Sequence, residues 1–280
     1  MRRYIEQDTQ RALTPTGGFL SGYGFTLNPY IGCAFGDSGG CPFCYVRALP
    51  VARTERGEWG SWVIAKRNLP ERLERELIAL ERGGRLAQTE IFMSSATDPY
   101  QGMERRMQLS RAALALLAKH RPRRLLLQTR SPMVERDVDL LRRLGRNVIV
   151  SLTLETDDDQ VRRRLTPTSP SIARRVTVAR RMRDAGVFVQ LAISPMMPNC
   201  AERFARLAAS CADRVIIDTY QDGDGSGGKR SRGLGIPQLY ERFGYDGWFE
   251  KGAEIELIAA MKARLGSQRV LFSRYGFNAL

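Results

Sequence analysis

From about residue 89 to residue 219 the chain alternates short apolar runs with amphipathic stretches, and this rhythm restricts the fold more than any other feature. Residues 89–94, 124–129, 147–153, 187–193 and 214–219 read as strands. Between them Met103, Met107, Ser110, Leu114 and Leu117 share one helical face. So do Val134, Val138 and Leu141, then Ile172, Val176 and Ala179, then Phe204, Ala208 and Cys211. Ser169-Pro170 is expected to cap the third of these helices, and Gly145 and Gly186 to end two of them. A further strand is expected over 25–31. After an ambiguous stretch (46–67), Pro70 opens a helix with Leu73, Leu77 and Leu80 inward, stopped by Gly83-Gly84. Strands that alternate with helices build a parallel sheet. Six units are too few to close an eight-stranded barrel. The expected fold class is therefore α/β, a partial (β/α)6 TIM-type barrel. We expect an irregular N-terminal segment over 1–24, the barrel over 25–220, and a C-terminal extension over 221–280 packed on it. Within the extension, 221–235 reads as a mobile, Gly-rich, basic loop, followed by a helix near 252–265 and a strand near 269–273.

In barrels of this kind chemistry gathers at the C-terminal ends of the strands. Those ends are polar here. The first runs into Cys33, Cys41 and Cys44, and the second into Ser94-Ser95-Ala96-Thr97-Asp98-Pro99-Tyr100. The third ends in Gln128-Thr129-Arg130, and the fourth carries Ser151, Thr153 and Glu155. The fifth ends in Ser194-Pro195-Met196-Met197, and the sixth in Asp218-Thr219-Tyr220. Singly, each is an ordinary loop start; together they argue for one large pocket. Three of the five cysteines fall within twelve positions, with no His beside them, since the only His is His120. Three thiolates without a fourth ligand suit an iron–sulfur cluster with one iron left open. A zinc-binding nucleic-acid module is the weaker reading, because structural zinc takes four ligands.

Lys plus Arg number 44 against 30 acids, a net charge of +14, and only five of the 44 are Lys, leaving 39 Arg. Arg grips phosphates and stacks on bases better than Lys. A polyanionic partner, most simply nucleic acid, is one reading of this excess; genome composition or heat tolerance is the other. With 43% hydrophobic residues the chain buries a proper core, which excludes a disordered chain. An odd number of cysteines, three in one motif, does not describe a secreted disulfide scaffold. The first residues lead into no apolar run, and nothing approaches a membrane span. We expect a cytoplasmic monomer with no membrane partner.

The residues so far resemble the radical S-adenosylmethionine (SAM) superfamily and, within it, the spore photoproduct lyase group of DNA repair enzymes. The superfamily signature is C-x3-C-x2-C. Here Cys41-Pro42-Phe43-Cys44 keeps the second spacing, while the first is widened to seven residues. Asn28-Pro29-Tyr30-Ile31-Gly32 before the motif and Tyr45 after it also fit, and the similarity runs from about residue 25 to 220. Gly36, Gly39 and Gly40 are expected to let the enlarged loop turn back on itself. The resemblance implies that Cys33, Cys41 and Cys44 hold a [4Fe–4S] cluster whose fourth iron is chelated by SAM. It places Arg130 where the lyases have a Lys that contacts the cofactor. Ser151 matches a Ser, and Ser194 a small residue beside the adenosyl group. Ser95 and Asp98, after the second strand, are counted with the cofactor-binding residues, as is Tyr45. The implied reaction reverses a UV-induced thymine photoproduct in DNA through a 5′-deoxyadenosyl radical. A flavodoxin or ferredoxin is the implied electron donor.

One departure matters. The lyases return a hydrogen atom from a cysteine after the second strand, and Ser95 takes that place here. A serine O–H bond is too strong for the task. Tyr45 can relay a hydrogen atom, and Cys200, just after the fifth strand, is the other candidate, although an idle thiol is its plain reading. The missing cysteine keeps another substrate open, such as an RNA base or a peptide. Cys211 reads as core, His120 as a helix end, and Asp157-Asp158-Asp159 as a helix start. Lys229-Arg230-Ser231-Arg232 either closes over a phosphate backbone or is plain surface. Tyr240, Phe243, Tyr245, Trp248, Phe249, Tyr275 and Phe277 are expected to pack on the open side of the barrel, with one or two left to stack on an extruded base.

Overall fold

A computed structural model describes residues 3–34 and 40–279. Its strands are β1 (Arg3–Gln7), β2 (Leu13–Pro15), β3 (Phe25–Leu27), β4 (Tyr30–Ile31), β5 (Trp62–Lys66), β6 (Glu90–Met93), β7 (Arg124–Thr129), β8 (Val148–Thr153), β9 (Val189–Ile193), β10 (Arg214–Ile217) and β11 (Val270–Phe272). Eight of them form one sheet in the order β11-β10-β9-β8-β7-β6-β3-β2. All neighbours in it run parallel except β2, which pairs antiparallel with β3. The expected partial barrel is thus observed, with β11 and β2 added at its two edges.

The strands β8 and β9 are buried at every position, as a sheet covered on both faces requires. Alternation by two then sorts their side chains. Leu125, Leu127, Val148, Val150, Leu152, Val189 and Leu191 pack outward with helix residues such as Leu114, Leu117, Val178 and Ala208. Phe92, Leu126, Ile149, Ala192 and Ile216 point inward and meet Tyr23 and Phe277.

Several expectations are corrected. The segment 1–24, expected to be irregular, holds β1 and β2 among its described residues. Most of β1 is exposed, so no apolar alternation marks it. The run 25–31 is two strands: β3 stays in the main sheet, while β4 turns away to pair with β5. With β1 these form a second sheet, β1-β5-β4, which accounts for part of the ambiguous stretch 46–67. The helical face from Met103 to Leu117 is broken at Gln108 (φ 51°) into Glu104–Met107 and Leu109–Lys119. The buried Glu104 carboxylate sits at this break, bonded by Tyr30 Oη and Ser110 N and paired with Arg136. The cap of helix Ile172–Asp184 is Ser171, whose hydroxyl accepts from Arg174 N at 3.3 Å. Segment 221–235 is folded, with short helices at Tyr220–Gly223 and Lys229–Gly233.

The sheet does not close on itself; its open side is sealed by segments from both parts of the chain. Tyr23 Oη donates to Phe277 O at 2.6 Å, and Gly22 N donates to Asn278 Oδ1 at 2.6 Å. Asn278 Nδ2 donates to Phe19 O at 2.8 Å. The rings of Phe19 and Phe277 meet with centroids 5.8 Å apart. Phe277 also packs with Phe92, Leu126, Ile149, Ala192 and Ile216 of the sheet.

Candidate active site

A cavity of about 500 Å³ opens at the C-terminal ends of the strands, and Cys33, Cys41 and Cys44 line it together. All three thiols are free of disulfides. Gly32 sets the chain up for the first. Its φ is +82°, and a Cβ there would come within 2.6 Å of Trp62, so a side chain is excluded on both counts. Cys44 N donates to Cys41 O at 3.2 Å, Arg47 Nε donates to the same carbonyl at 3.2 Å, and the Trp59 indole donates to the Cys44 thiol. Burial pushes the Cys41 thiol up to about 12, against the pull of Arg130. Gly40 takes a φ of +81°; Gly36 and Gly39 lie outside the described residues.

Among the described residues no three Cys, His, Asp or Glu are close enough to hold a single metal ion. A cluster asks for something else: each thiolate binds its own iron, so the sulfurs must share a cavity rather than touch. Three cysteine thiols on one wall, and a largely buried guanidinium nearby for an anionic group, fit such a cluster and its co-ligand.

That guanidinium is Arg130. Its Nη1 pairs with Glu155 Oε1 at 2.9 Å and donates to Ser169 Oγ at 3.2 Å, and it lies 5.7 Å from the centre of the Phe43 ring. Glu155 also pairs with the fully buried Arg175, at 2.7 Å. Burial opposes ionisation of Glu155, but Arg130 and Arg175 hold its carboxyl below the usual range. The loop after β6 is tied down from several sides. Asn28 Nδ2 donates to Ser95 Oγ at 3.2 Å, and Ala96 N donates to Asn28 Oδ1 at 3.0 Å. The Asp98 carboxylate accepts from Tyr100 N, Thr129 Oγ1 and Arg130 N at 2.8–3.0 Å. Tyr45 Oη donates to Ser95 O, which places the phenol on the cavity wall. On the β10 side stand Asp218, Thr219 and Tyr220, with Ser194 Oγ 3.2 Å from Asp218 Oδ2.

The family model for the radical SAM superfamily matches residues 27–209. The chain belongs to the radical SAM superfamily. A [4Fe–4S] cluster and SAM are the cofactors of such proteins. Among curated relatives, an uncharacterized protein of Methanocaldococcus jannaschii is 29% identical over 195 residues, 70% of this chain and 68% of that one. An uncharacterized protein of Acidianus two-tailed virus is 28% identical over 62% of this chain and 56% of its own. Among solved structures, spore photoproduct lyase complexed with dinucleoside spore photoproduct superposes with a TM-score of 0.68 at 13% identity, over 97% of this chain and 82% of that one. Streptococcus suis SuiB bound to precursor peptide SuiA gives 0.50 at 16% identity, over 78% of this chain and 46% of its own.

Within this radical SAM chain the residues expected at the site divide. Cys33, Cys41, Cys44, Tyr45, Ser95, Asp98, Arg130 and Ser194 all line the cavity. Asp98 does so while its carboxylate holds its own loop. Ser151 does not line it. It is wholly buried one pleat deeper, accepting from Gln190 Nε2 at 2.8 Å, and Thr153 is the β8 hydroxyl that faces the cavity. Cys200 does not line it either; it is exposed at the start of helix Ala201–Ala209, its N–H on Asp157. Asp218, although named as a strand end, carried no signal that it would be buried at the cavity wall. The same is true of Arg175, which sits mid-helix in a basic, surface-like sequence.

Proposed function

We propose that this protein is a radical SAM lyase that reverses spore photoproduct, a UV-induced thymine lesion of DNA, to two thymines. The observation that carries this reading is the extent of the fold likeness to spore photoproduct lyase. It runs over 97% of the chain and so takes in most of the extension, whereas the likeness to SuiB covers 78%. In this reading Cys33, Cys41 and Cys44 hold the cluster, and Arg130, kept in place by Glu155, pairs with the carboxylate of SAM. When bound, these cofactors supply an adenosyl radical that takes a hydrogen atom from the substrate. Ser194 and Thr153 offer hydroxyls to the cofactor's ribose. Phe92 and Phe277 keep water from the floor. Tyr45 relays the returning hydrogen atom, its phenol already held at the wall by Ser95 O; Cys200, outside the cavity, takes no part. DNA meets the arginine-rich surface, where Arg164 lies over Phe243 and Tyr245. A flavodoxin or ferredoxin delivers the electron, in a reducing cytoplasm, to a monomer.

The serine at position 95 favours a second reading, the same chemistry on an RNA base or a peptide. One assay separates them. Anaerobically loaded protein, reductant and SAM are incubated with DNA carrying spore photoproduct, and thymine repair and 5′-deoxyadenosine are both measured. Repair is expected, and Cys33→Ala, Cys41→Ala and Cys44→Ala are each expected to lose iron and both products. Release of 5′-deoxyadenosine without repair would move the enzyme to the second reading.

A further inference from the structure

In the sheet order, β10 is the strand far from β3, which leads to the cysteines. Asp218 follows it, 2% exposed and lining the cavity. Its Oδ2 accepts from Ser194 Oγ at 3.2 Å, and the Ser273 hydroxyl lies near enough to favour the ionised carboxyl. Its Oδ1 is buried and has no partner. The charge that acts on it most strongly is another acid, Asp222. The backbone leaves this carboxyl room: a Cβ at Gly223 would lie 2.2 Å from Oδ2 and 2.9 Å from Oδ1. Position 223 is therefore held open for the carboxyl. Two more buried side-chain oxygens on the cavity lining lack partners, Ser94 Oγ and Gln128 Oε1. The wall beside them includes the apolar rings of Phe92 and Phe277.

A buried acceptor without a donor is destabilising, and the site keeps several. What enters must then bring hydrogen-bond donors together with flat apolar surface. An anionic group would meet the Asp218 carboxyl, whose nearest strong charge is another acid, and an alkylammonium brings no flat apolar face to set against the rings of Phe92 and Phe277. A pyrimidine ring with an imide N–H meets both demands. We propose that Asp218 is a specificity residue that reads the substrate base: Oδ1 accepts the imide N–H of a thymine-type ring seated between the strand ends and Phe277. This inference rests on the DNA-lesion reading above.

The test is binding of two probes to the cofactor-loaded protein, dinucleoside spore photoproduct and the same molecule methylated at the imide nitrogens. The wild type is expected to prefer the unmethylated probe by at least about tenfold, since a site built around a hydrogen bond rejects the analogue that cannot form it. Asp218→Ala is expected to lose that preference, and Asp218→Asn, which keeps an oxygen acceptor, to retain it. SAM is titrated in parallel. If Asp218→Ala weakens SAM while the preference between probes persists, the carboxyl reads the cofactor's adenine and the inference is overturned. Equal binding of both probes by the wild type also overturns it, leaving the lyase reading intact. If the wild type binds neither probe, reading and inference fall together. Should Asp218→Ala not fold, Asp218→Leu, which fills the carboxyl's space without an acceptor, takes its place, and retention of the preference by that variant overturns the inference.

Discussion

Asp218 sits where folding alone would not put an acid. Burial raises its pKa to about 7, well above an ordinary carboxyl. The folded chain therefore holds this proton more tightly than the unfolded chain does. The resulting stabilisation is complete below about pH 4 and is lost as pH rises through 7. Asn at this position cannot ionise. Asp218→Asn should then be more stable than the wild type at pH 8 by about 2–4 kcal/mol, with the gap narrowing at pH 5, as read by urea denaturation. A gap that does not change between pH 5 and 8 would show that the carboxyl keeps its ordinary pKa and is ionised in the fold as in the unfolded chain. Nothing in Ile217-Asp218-Thr219 announces this role. A strand-end Asp is ordinary in sequence; its burial depends on Gly223 and on Ser273, which the fold brings back from far along the chain. Glu155 is similar, since its partners Arg130 and Arg175 lie on different elements. The cysteines were legible because their spacing is local and their chemistry needs no fold to declare it.

Among the elements, the five strands β6 to β10 were readable because burial on both faces leaves unbroken apolar runs. The strands β1 and β4 were not, one being mostly exposed and the other only two residues long; β5 is mostly buried and is placed by pairing with both of them. Segment 221–235 misled for a different reason. Its glycines look like slack chain, yet Gly225, Gly227 and Gly228 all take positive φ, and the backbone they bend wraps around one carboxylate. Asp224 accepts from Ser226 N and Oγ, Gly228 N, and Ser231 N and Oγ at 2.7–3.0 Å. Burial opposes ionisation there, but these bonds hold the Asp224 carboxyl below its usual range. The wrapped segment brings Arg230 to the cavity lining. Asp224→Ala should free it: trypsin should cut at Lys229, Arg230 or Arg232 many times faster, while the barrel loses only about 1–3 kcal/mol. Unchanged cleavage would mean that the helix Lys229–Gly233 is held by other contacts.

For the molecule as a whole, the decisive feature is that an open sheet encloses a cavity only because residues 19–23 and 277–278 are fastened to each other. Phe277 contributes to both sides of this arrangement, joining the inner apolar cluster and lining the cavity. Phe277→Ala should cost about 3–5 kcal/mol, the usual range for a buried Phe, measurable by denaturant unfolding. It should also raise the amount of 5′-deoxyadenosine formed per substrate turned over. A stability loss with that ratio unchanged would limit the ring to a packing role.

The fastening has a further consequence, which concerns time rather than shape. An unpaired electron on carbon is quenched by dioxygen or a stray thiol on encounter, so a chamber that carries one must stay shut for as long as the electron is exposed. Here the shutter is the pair of contacts at Gly22–Asn278 and Tyr23–Phe277. How often that seam breathes sets how many radicals leak away before they are used.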